Sequence, residues 1–443
     1  MTRYVIVGTG VAGVAAIEAL RRADSTAEIN AVTEDPHGFY SRPGLAYYLS
    51  DEIPRNRLSL FSRHDWKALH VHYIQDRVTR LDPVRHKIGL AKAGSLSYDR
   101  LLLATGSTAV PIDVPGGRSK GVVKLDTVED ARHMLSLARH ARTAVIVGGG
   151  IIAVEMAEGL ACRGVKVHYF LRGGRYWSNV LDEAESHLIE DHLTQRGISL
   201  HYHTEIAEIL SRGGKVSGVR TKQGETLPCG MVAVGIGVKA RSELAQAAGL
   251  KTERGILVDD HLRTSDPDIH AAGDAAQVVD PRTGASTLET LWLPARIQGW
   301  TAATNMSGKN QVYRRATATN VLRLAGVMIS IIGAVGGGRD DDLVSVARGS
   351  SETWLQLPNT IAAVSNSELN HLRLMVGEST LTGALVLGEQ KLSRPLQELI
   401  SQQADIMPIR SQLLQPEAQL GHIIMDYWSS TSVRRSGGIA AQK

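Results

Sequence analysis

The chain has 443 residues, 43% hydrophobic and 21% charged, with 44 glycines and 5% aromatics; at about 150 residues per domain this allows about three domains of ordinary α/β composition. Its net charge is only +4 and the basic residues are scattered, which argues against a nucleic-acid partner. No apolar run reaches the roughly 18 residues of a membrane span and a core strand opens at residue 4, so a cytoplasmic location is expected.

The first predicted strand, Tyr4 to Val7, runs into Gly8-Thr9-Gly10-Val11-Ala12-Gly13. Three glycines at this spacing between a strand and a helix mark a dinucleotide-binding turn. Gly8 permits the tight turn, Gly10 lets backbone N–H groups approach a pyrophosphate, and Gly13 lets the helix over Val14 to Arg22 pack on the strand. Val11 and Ala12 stand at that helix's positive end, which favours phosphate. A second strand, Ile29 to Thr33, ends in Glu34, a carboxylate placed to accept ribose hydroxyls. The loop Asp35 to Leu45 follows, in which Pro43 sets a turn and Arg42 is a fixed cation suited to a phosphate or carboxylate. A short helix, Ala46 to Leu49, comes next. Strands Val71 to Ile74 and Lys87 to Leu90 read as a hairpin around Asp82-Pro83, and strand Leu101 to Ala104 ends in Ala104-Thr105-Gly106.

The glycine pattern recurs in Val145-Ile146-Val147-Gly148-Gly149-Gly150-Ile151-Ile152-Ala153-Val154-Glu155. Gly148, Gly150 and Ala153 occupy the three fingerprint positions, Ile152 lies in the same turn, and the helix continues to Cys162. Two such units imply two nucleotides, and hydride transfer from a nicotinamide to a flavin is the chemistry that joins them. The strand Val165 to Leu171 ends not in a carboxylate but in Arg172, with Arg175 nearby. That pair suits a 2′-phosphate and favours NADPH over NADH, although arginines also cover strand ends. His201 and His203 form an H-x-H on a probable strand; without a third ligand no metal is expected. Cys162 and Cys229 belong to no C-x-x-C pair and read as structural thiols.

Strand Met231 to Val234 leads into Gly235-Ile236-Gly237. A later strand, within Thr264 to Ala272, ends in Gly273-Asp274, placing a carboxylate where it can accept hydrogen bonds from polyol hydroxyls. Trp292 and Ala295-x-x-Gln298-Gly299 come after it. From Ala316 the nucleotide turns cease. An apolar run, Val327 to Val335, precedes a solvated loop, Gly336 to Asp342. Leu372 to Val376 and Leu381 to Leu387 read as a hairpin, Pro395 to Gln403 as a helix, and 434–443 as a disordered tail.

Taken in this order, the motifs resemble the pyridine nucleotide–disulfide oxidoreductase superfamily over nearly the whole chain. The resemblance implies an α/β fold of two Rossmann-like dinucleotide-binding domains with a smaller α/β C-terminal domain. Their expected bounds are 1–112 plus 243–315 for FAD, 113–242 for NAD(P), and 316–433 for the C-terminal domain. It implies that FAD is held by Gly8, Gly10, Val11, Ala12, Gly13, Glu34, Arg42 and Pro43. Ala104, Thr105 and Gly106 would meet its adenine half, Gly273 and Asp274 its ribitol and phosphates, and Trp292 and Ala295 its ring region. NADPH or NADH would lie on Gly148, Gly150, Ile152 and Ala153, with Gly235, Arg172 and Arg175 contributing and Glu155 approaching both nicotinamide and flavin.

Disulfide reductases of this superfamily carry cysteines in the segment corresponding to Tyr40–Leu49, which here has none, so a thiol relay is not expected. Tyr40-Ser41-Arg42-Pro43-Gly44-Leu45 is most similar to NAD(P)H:rubredoxin or ferredoxin reductases and to the flavoprotein part of assimilatory nitrite reductases. The implied function is an FAD-dependent NAD(P)H oxidoreductase that passes electrons to a small one-electron carrier of rubredoxin or ferredoxin type. A non-catalytic or partner-dependent flavoprotein subunit of a larger redox complex, and an NAD(P)H oxidase or quinone reductase, stand as alternatives. The C-terminal domain of the superfamily often forms a dimer interface, so a homodimer belongs among the expectations.

Overall fold

A computed structural model describes residues 2–279, 284–336, 361–367 and 370–439. Most of the expected loop Gly336 to Asp342, and residues 440–443 of the expected tail, lie outside them. Packing groups the chain into two compact units. One contains residues up to Phe170 with Thr204–Arg315; the other contains Leu171–His203 with the described residues from Ala316 onward. Leu171–His203, expected to belong with 113–242, thus packs with the C-terminal residues.

In the first unit a parallel sheet runs in the order Ile269–Ala271, Arg100–Leu103, Arg3–Val7, Glu28–Thr33, Val71–Gln75. The central strands are largely apolar on both faces, as a sheet covered on both sides requires; Val5, Ile6, Ile29, Leu101, Leu102 and Ile269 are fully buried. Register places Val7 beside both Val32 and Leu103, and Ala271 beside Leu103. Gly8, Glu34, Ala104 and Gly273 therefore emerge near one edge, at the carboxyl ends of the strands, where doubly wound sheets bind ligands. Val71–Gln75 belongs to this sheet. The hairpin around Asp82-Pro83 is instead Val78–Asp82 with Lys87–Leu90, because Val71–Gln75 completes the parallel sheet beside Glu28–Thr33. The second glycine motif repeats the arrangement: Thr143–Val147 lies between Lys166–Phe170 and Met231–Val234, with Val147 beside both Phe170 and Val234. Helices Val11–Ala23 and Ile151–Cys162 follow the two turns.

The second unit carries an antiparallel sheet in the order Thr319–Leu324, Val327–Gly333, Leu381–Leu387, Asn370–Val376, Ile361–Ser367. Helices Ser393–Ser401 and Met407–Leu413 and the start of helix Leu420–Ile439 share its core, through Leu396, Leu399, Leu413 and Ile424 against Leu374, Ala384 and Val386. That last helix runs through 434–439, where the sequence reading placed a tail; its first turns are anchored by buried Leu420 and Ile424, and helix propagation is easier than nucleation. His201 ends strand Ser199–His201, whereas His203 lies beyond it with a left-handed φ of 49°. The two imidazoles therefore do not share a strand face.

Leu171–His203 is tied into this unit by a buried charge cluster. The Glu185 carboxylate receives Arg373 Nε at 2.8 Å and Nη2 at 2.9 Å, and His371 Nε2 lies 2.7 Å away. Arg373 also donates to the carbonyls of Val180 (2.7 Å) and Val335 (2.8 Å). Burial alone would raise the Glu185 carboxyl; the hydrogen bonds from His371 and Arg373, with the Arg373 charge, outweigh it and hold the carboxyl below its ordinary 4.5. A buried pair broken on one side leaves an uncompensated charge. Arg373→Met is expected to destabilise this unit by about 3–5 kcal/mol at neutral pH. Glu185 has the depressed acid value, so the cluster's contribution is complete above pH 4.5 and is lost as pH falls through the lower folded-state value. Urea unfolding at pH 7 and at pH 4 would show the gap between wild type and variant narrowing on acidification; a gap that widens contradicts this.

Candidate functional site

The first turn is held by backbone contacts that only glycine permits. Gly8 has φ +105°, and a Cβ there would lie 2.1 Å from the Ala104 carbonyl oxygen. A Cβ on Gly13 would lie 2.0 Å from the Gly8 carbonyl oxygen, and one on Gly299 would lie 2.0 Å from that of Ala12. Ala104 N–H donates to the Val7 carbonyl at 2.8 Å, and Thr105 Oγ1 to that of Arg241 at 2.7 Å. Gly106, at φ +71°, faces open space.

Gly10 is different. It caps helix Val11–Ala23 with φ −73° and ψ −173°, which any residue adopts, and a Cβ on it would meet nothing within 4 Å. Neither conformation nor packing explains its glycine. The remaining physical reason is room for a ligand against the helix N-terminus. Gly150 repeats the case at the second turn, with φ −111° and open space around it, while Gly148 at φ +139° packs on the Gly235 carbonyl and on Ala153. Both turns thus fit a dinucleotide phosphate cradle. Val11 and Ile152, in the first helical turns, stay partly exposed.

Glu34 is half-exposed, with Arg77 Nε 2.7 Å from Oε2 and Arg241 Nη1 3.4 Å from Oε1. A carboxylate has about four acceptor sites, so capacity for ribose hydroxyls remains. Asp274 stands in the short helical turn Gly273–Ala275. Ser107 Oγ donates to its Oδ2 at 2.7 Å. Burial raises its carboxyl above the usual range, while the Ser107 hydrogen bond and the Arg42 charge pull the other way. Arg42 and Pro43 enter helix Gly44–Leu49, and Pro43 is its N-cap. Trp292 opens helix Trp292–Met306, stacked on Phe39 with centroids 5.9 Å apart. Ala295, one turn on, places its Cβ 3.6 Å from where a Gly273 Cβ would be.

Glu155 lies on helix Ile151–Cys162 one turn before Gly159, and residues four apart share a helix face. Gly159 is pressed against the Leu49 side chain: a Cβ there would lie 2.5 Å from Leu49 Cγ. Arg163, four residues further, donates to the Leu49 carbonyl at 2.9 Å. Glu155 therefore faces the segment that follows Arg42 and Pro43. Its carboxyl is pushed up to about 8, by burial first and the Glu158 charge second.

Arg175 is committed within its own unit, donating to the Leu181 carbonyl, to Ser186 Oγ at 3.2 Å and to the Ser178 carbonyl at 3.2 Å. Of the two thiols, Cys162 is exposed at a helix end and Cys229 is buried, its thiol pushed up to about 11 by burial.

A buried network unread in the sequence supports the Gly273-Asp274 turn. Gly273 N–H donates to Gln298 Oε1 at 2.8 Å, and Gln298 Nε2 approaches Glu289 Oε2 at 3.4 Å. Tyr313 donates to the same Glu289 oxygen at 2.6 Å, and Arg315 Nε to the other at 3.0 Å. Only Gln298, in the A-x-x-Q-G run, carried any signal.

Residues 2–307 match the family model described as pyridine nucleotide-disulphide oxidoreductase. Among curated proteins, the chain is 27% identical over 419 residues to the assimilatory nitrate reductase electron transfer subunit of Bacillus subtilis (strain 168), covering 94% of this chain and 51% of that protein. It is 31% identical over 313 residues to rhodocoxin reductase of Rhodococcus erythropolis, covering 70% and 73%. The chain thus spans about half the length of the first of these. Among solved structures, the ferredoxin reductase for the CYP199A2 system from Rhodopseudomonas palustris superposes with TM-score 0.83 at 25% identity, covering 95% of this chain and 99% of that one. No described helix is long and apolar enough to cross a membrane.

The Glu155 carboxyl is expected to stay protonated through neutral pH and to titrate near about 8. Infrared difference titration of wild type against Glu155→Gln would show the carboxylic acid band lost over that range only in wild type. A band already absent at pH 6 contradicts the assignment.

Proposed function

The chain belongs to the pyridine nucleotide-disulphide oxidoreductase family, and from that premise we propose that it is an FAD-dependent NAD(P)H reductase serving a small iron–sulfur electron carrier. The observation that carries the reading is the pair Gly10 and Gly150, glycines that neither backbone conformation nor packing demands, each at a helix N-terminus following a parallel strand. Two ligand-shaped reasons for glycine in one chain support two dinucleotides.

FAD, when bound, supplies the ring that accepts hydride and releases electrons singly. The chain's own residues supply position and electrostatics. Gly8, Gly10, Gly13, Val11 and Ala12 would hold the FAD pyrophosphate, Glu34 the ribose, and Ala104, Thr105 and Gly106 the adenine half. Arg42, Pro43, Gly273 and Asp274, with Trp292 and Ala295, would line the ribitol and ring region. Asp274, steadied by Ser107, is an acceptor for polyol hydroxyls. Gly148, Gly150, Ile152, Ala153 and Gly235 would hold the nicotinamide nucleotide. Glu155, whose carboxyl burial pushes up to about 8, can in its protonated form donate a hydrogen bond without adding charge between two redox rings. Neither thiol lies in Tyr40–Leu49, which supports electron release without a disulfide relay.

The domain division 1–112 plus 243–315, 113–242 and 316–433 belongs to the same proposal. A second reading, transfer within a larger redox complex, is favoured by the match to an electron transfer subunit over 94% of the chain.

Anaerobic mixing of the purified holoprotein with NADPH and, separately, NADH tests the proposal through the visible flavin band. Bleaching within the mixing time by at least one nucleotide is expected, and the faster one tests the expectation of NADPH drawn from Arg172 and Arg175. A flavin that stays oxidised with both would contradict the reductase reading.

A further inference from the structure

The Arg42–Pro43 segment is backed by a short ladder that leads to the surface. Ser41 N–H donates to the Leu58 carbonyl at 2.9 Å and Leu60 N–H to the Phe39 carbonyl at 3.0 Å, so 58–60 runs beside 39–41. Phe39 stacks on Trp292 and meets Phe61 edge-on, with centroids 5.3 Å apart. Next in sequence to these rings, Leu60 and Leu293 are 46% and 40% exposed. Two exposed large apolar side chains thus adjoin in sequence the two ends of the Phe61–Phe39–Trp292 ring series, of which Trp292 is a candidate flavin neighbour.

The surroundings carry one dominant sign. Segment 55–67 contains Arg55, Arg57, Arg63 and Lys67 against a single carboxylate, Asp65. Asp65 is spent on its own helix cap, accepting from Ser62 N–H and Oγ at 2.7 Å each. Arg55, Arg57 and Lys67 are exposed, as is Arg296 on the Trp292 helix. Carboxylates are also present nearby: Glu18 lies 3.9 Å from Arg296, Glu129 lies 2.7 Å from His37, whose second ring nitrogen lies 3.4 Å from Arg55 Nη2, and exposed Asp51 and Glu52 precede the segment. An apolar centre within a charged rim is the anatomy of a protein interface, and rim charges of one sign steer an oppositely charged partner.

We propose that Leu60 and Leu293, rimmed by Arg55, Arg57, Lys67 and Arg296, form the docking surface for the electron carrier, a small acidic iron–sulfur protein. The proposal rests on the reductase reading and adds to it the place where the partner seats and the charge it carries. The leucines supply desolvated contact over the Phe39–Trp292 stack; the cations supply encounter rate and orientation.

The test compares the wild-type holoprotein with Arg55→Glu/Arg57→Glu and with Leu60→Asp/Leu293→Asp. A rubredoxin and a plant-type ferredoxin serve as carriers, and ferricyanide as an acceptor that needs no docking. Carrier kcat/KM is expected to fall about tenfold or more in each variant, while flavin bleaching by NAD(P)H and ferricyanide reduction stay at wild-type rates. The wild-type carrier rate should fall with added salt, and that slope should flatten in the charge-reversed variant. Unchanged carrier kinetics in both variants, or ferricyanide reduction falling in parallel, overturns the surface alone. A wild type that reduces ferricyanide but neither carrier overturns the carrier reading, and the surface with it.

Discussion

Backbone touching backbone without a Cβ between them is the constraint on which the first unit depends. Strand Arg3–Val7 can turn into its helix beside Arg100–Leu103 because Gly8 lets the Ala104 carbonyl come within what would be 2.1 Å of a side chain. Gly13 then seats the helix on the turn, and Gly299 lets helix Trp292–Met306 cross at Ala12. That crossing brings Gly273, Asp274 and Trp292 to the strand edge where Gly8 and Glu34 already stand. A side chain at Gly299 would push apart segments nearly 300 residues distant in sequence, and one at Gly8 would separate the first strand from Ala104.

Most of the first unit's architecture is legible in the sequence, because glycine spacing and apolar runs are local signals. The strands around both turns, Glu34 at the end of the second strand and the Gly273-Asp274 turn all lie where motif and periodicity put them. What was not legible depends on distant partners. Ser107 on Asp274, Glu289 and Tyr313 behind Gln298, and Arg373 on Glu185 are ordinary polar residues until the fold brings them together. The hairpin at Asp82-Pro83 pairs Val78–Asp82 rather than Val71–Gln75 with Lys87–Leu90 for a related reason. Val71–Gln75 alternates well enough for a hairpin, but its pairing is decided by the open edge of Glu28–Thr33, which local sequence does not display. The Arg172/Arg175 pair shows the same limit: charge is visible in sequence, whereas the carbonyls that engage Arg175 are not.

The site's electrostatics follow from where charge is tolerated. Arg42 acts on a buried Asp274 whose carboxyl is raised, while Glu155 is held neutral on the helix face that meets Gly44–Leu49. Cations remain at the rim around Leu60. In the proposed function, an acid raised by burial and exposed cations would suit the intake of a negatively charged nucleotide and the release of electrons to a separate acidic protein. The cysteine-free Tyr40–Leu49 segment completes that logic, since charge has no thiol on which to rest there.

In the proposed function, Gly10 and Gly150 are glycines for the sake of two different ligands. Since a Cβ at either meets no protein atom within 4 Å, Gly10→Val and Gly150→Val should fold normally, which separates ligand effects from misfolding. The decisive measurement is flavin content and nucleotide bleaching in both variants. Gly10→Val is expected to be isolated without FAD, while Gly150→Val retains FAD that NAD(P)H no longer bleaches. Full FAD content and bleaching in Gly10→Val would contradict it.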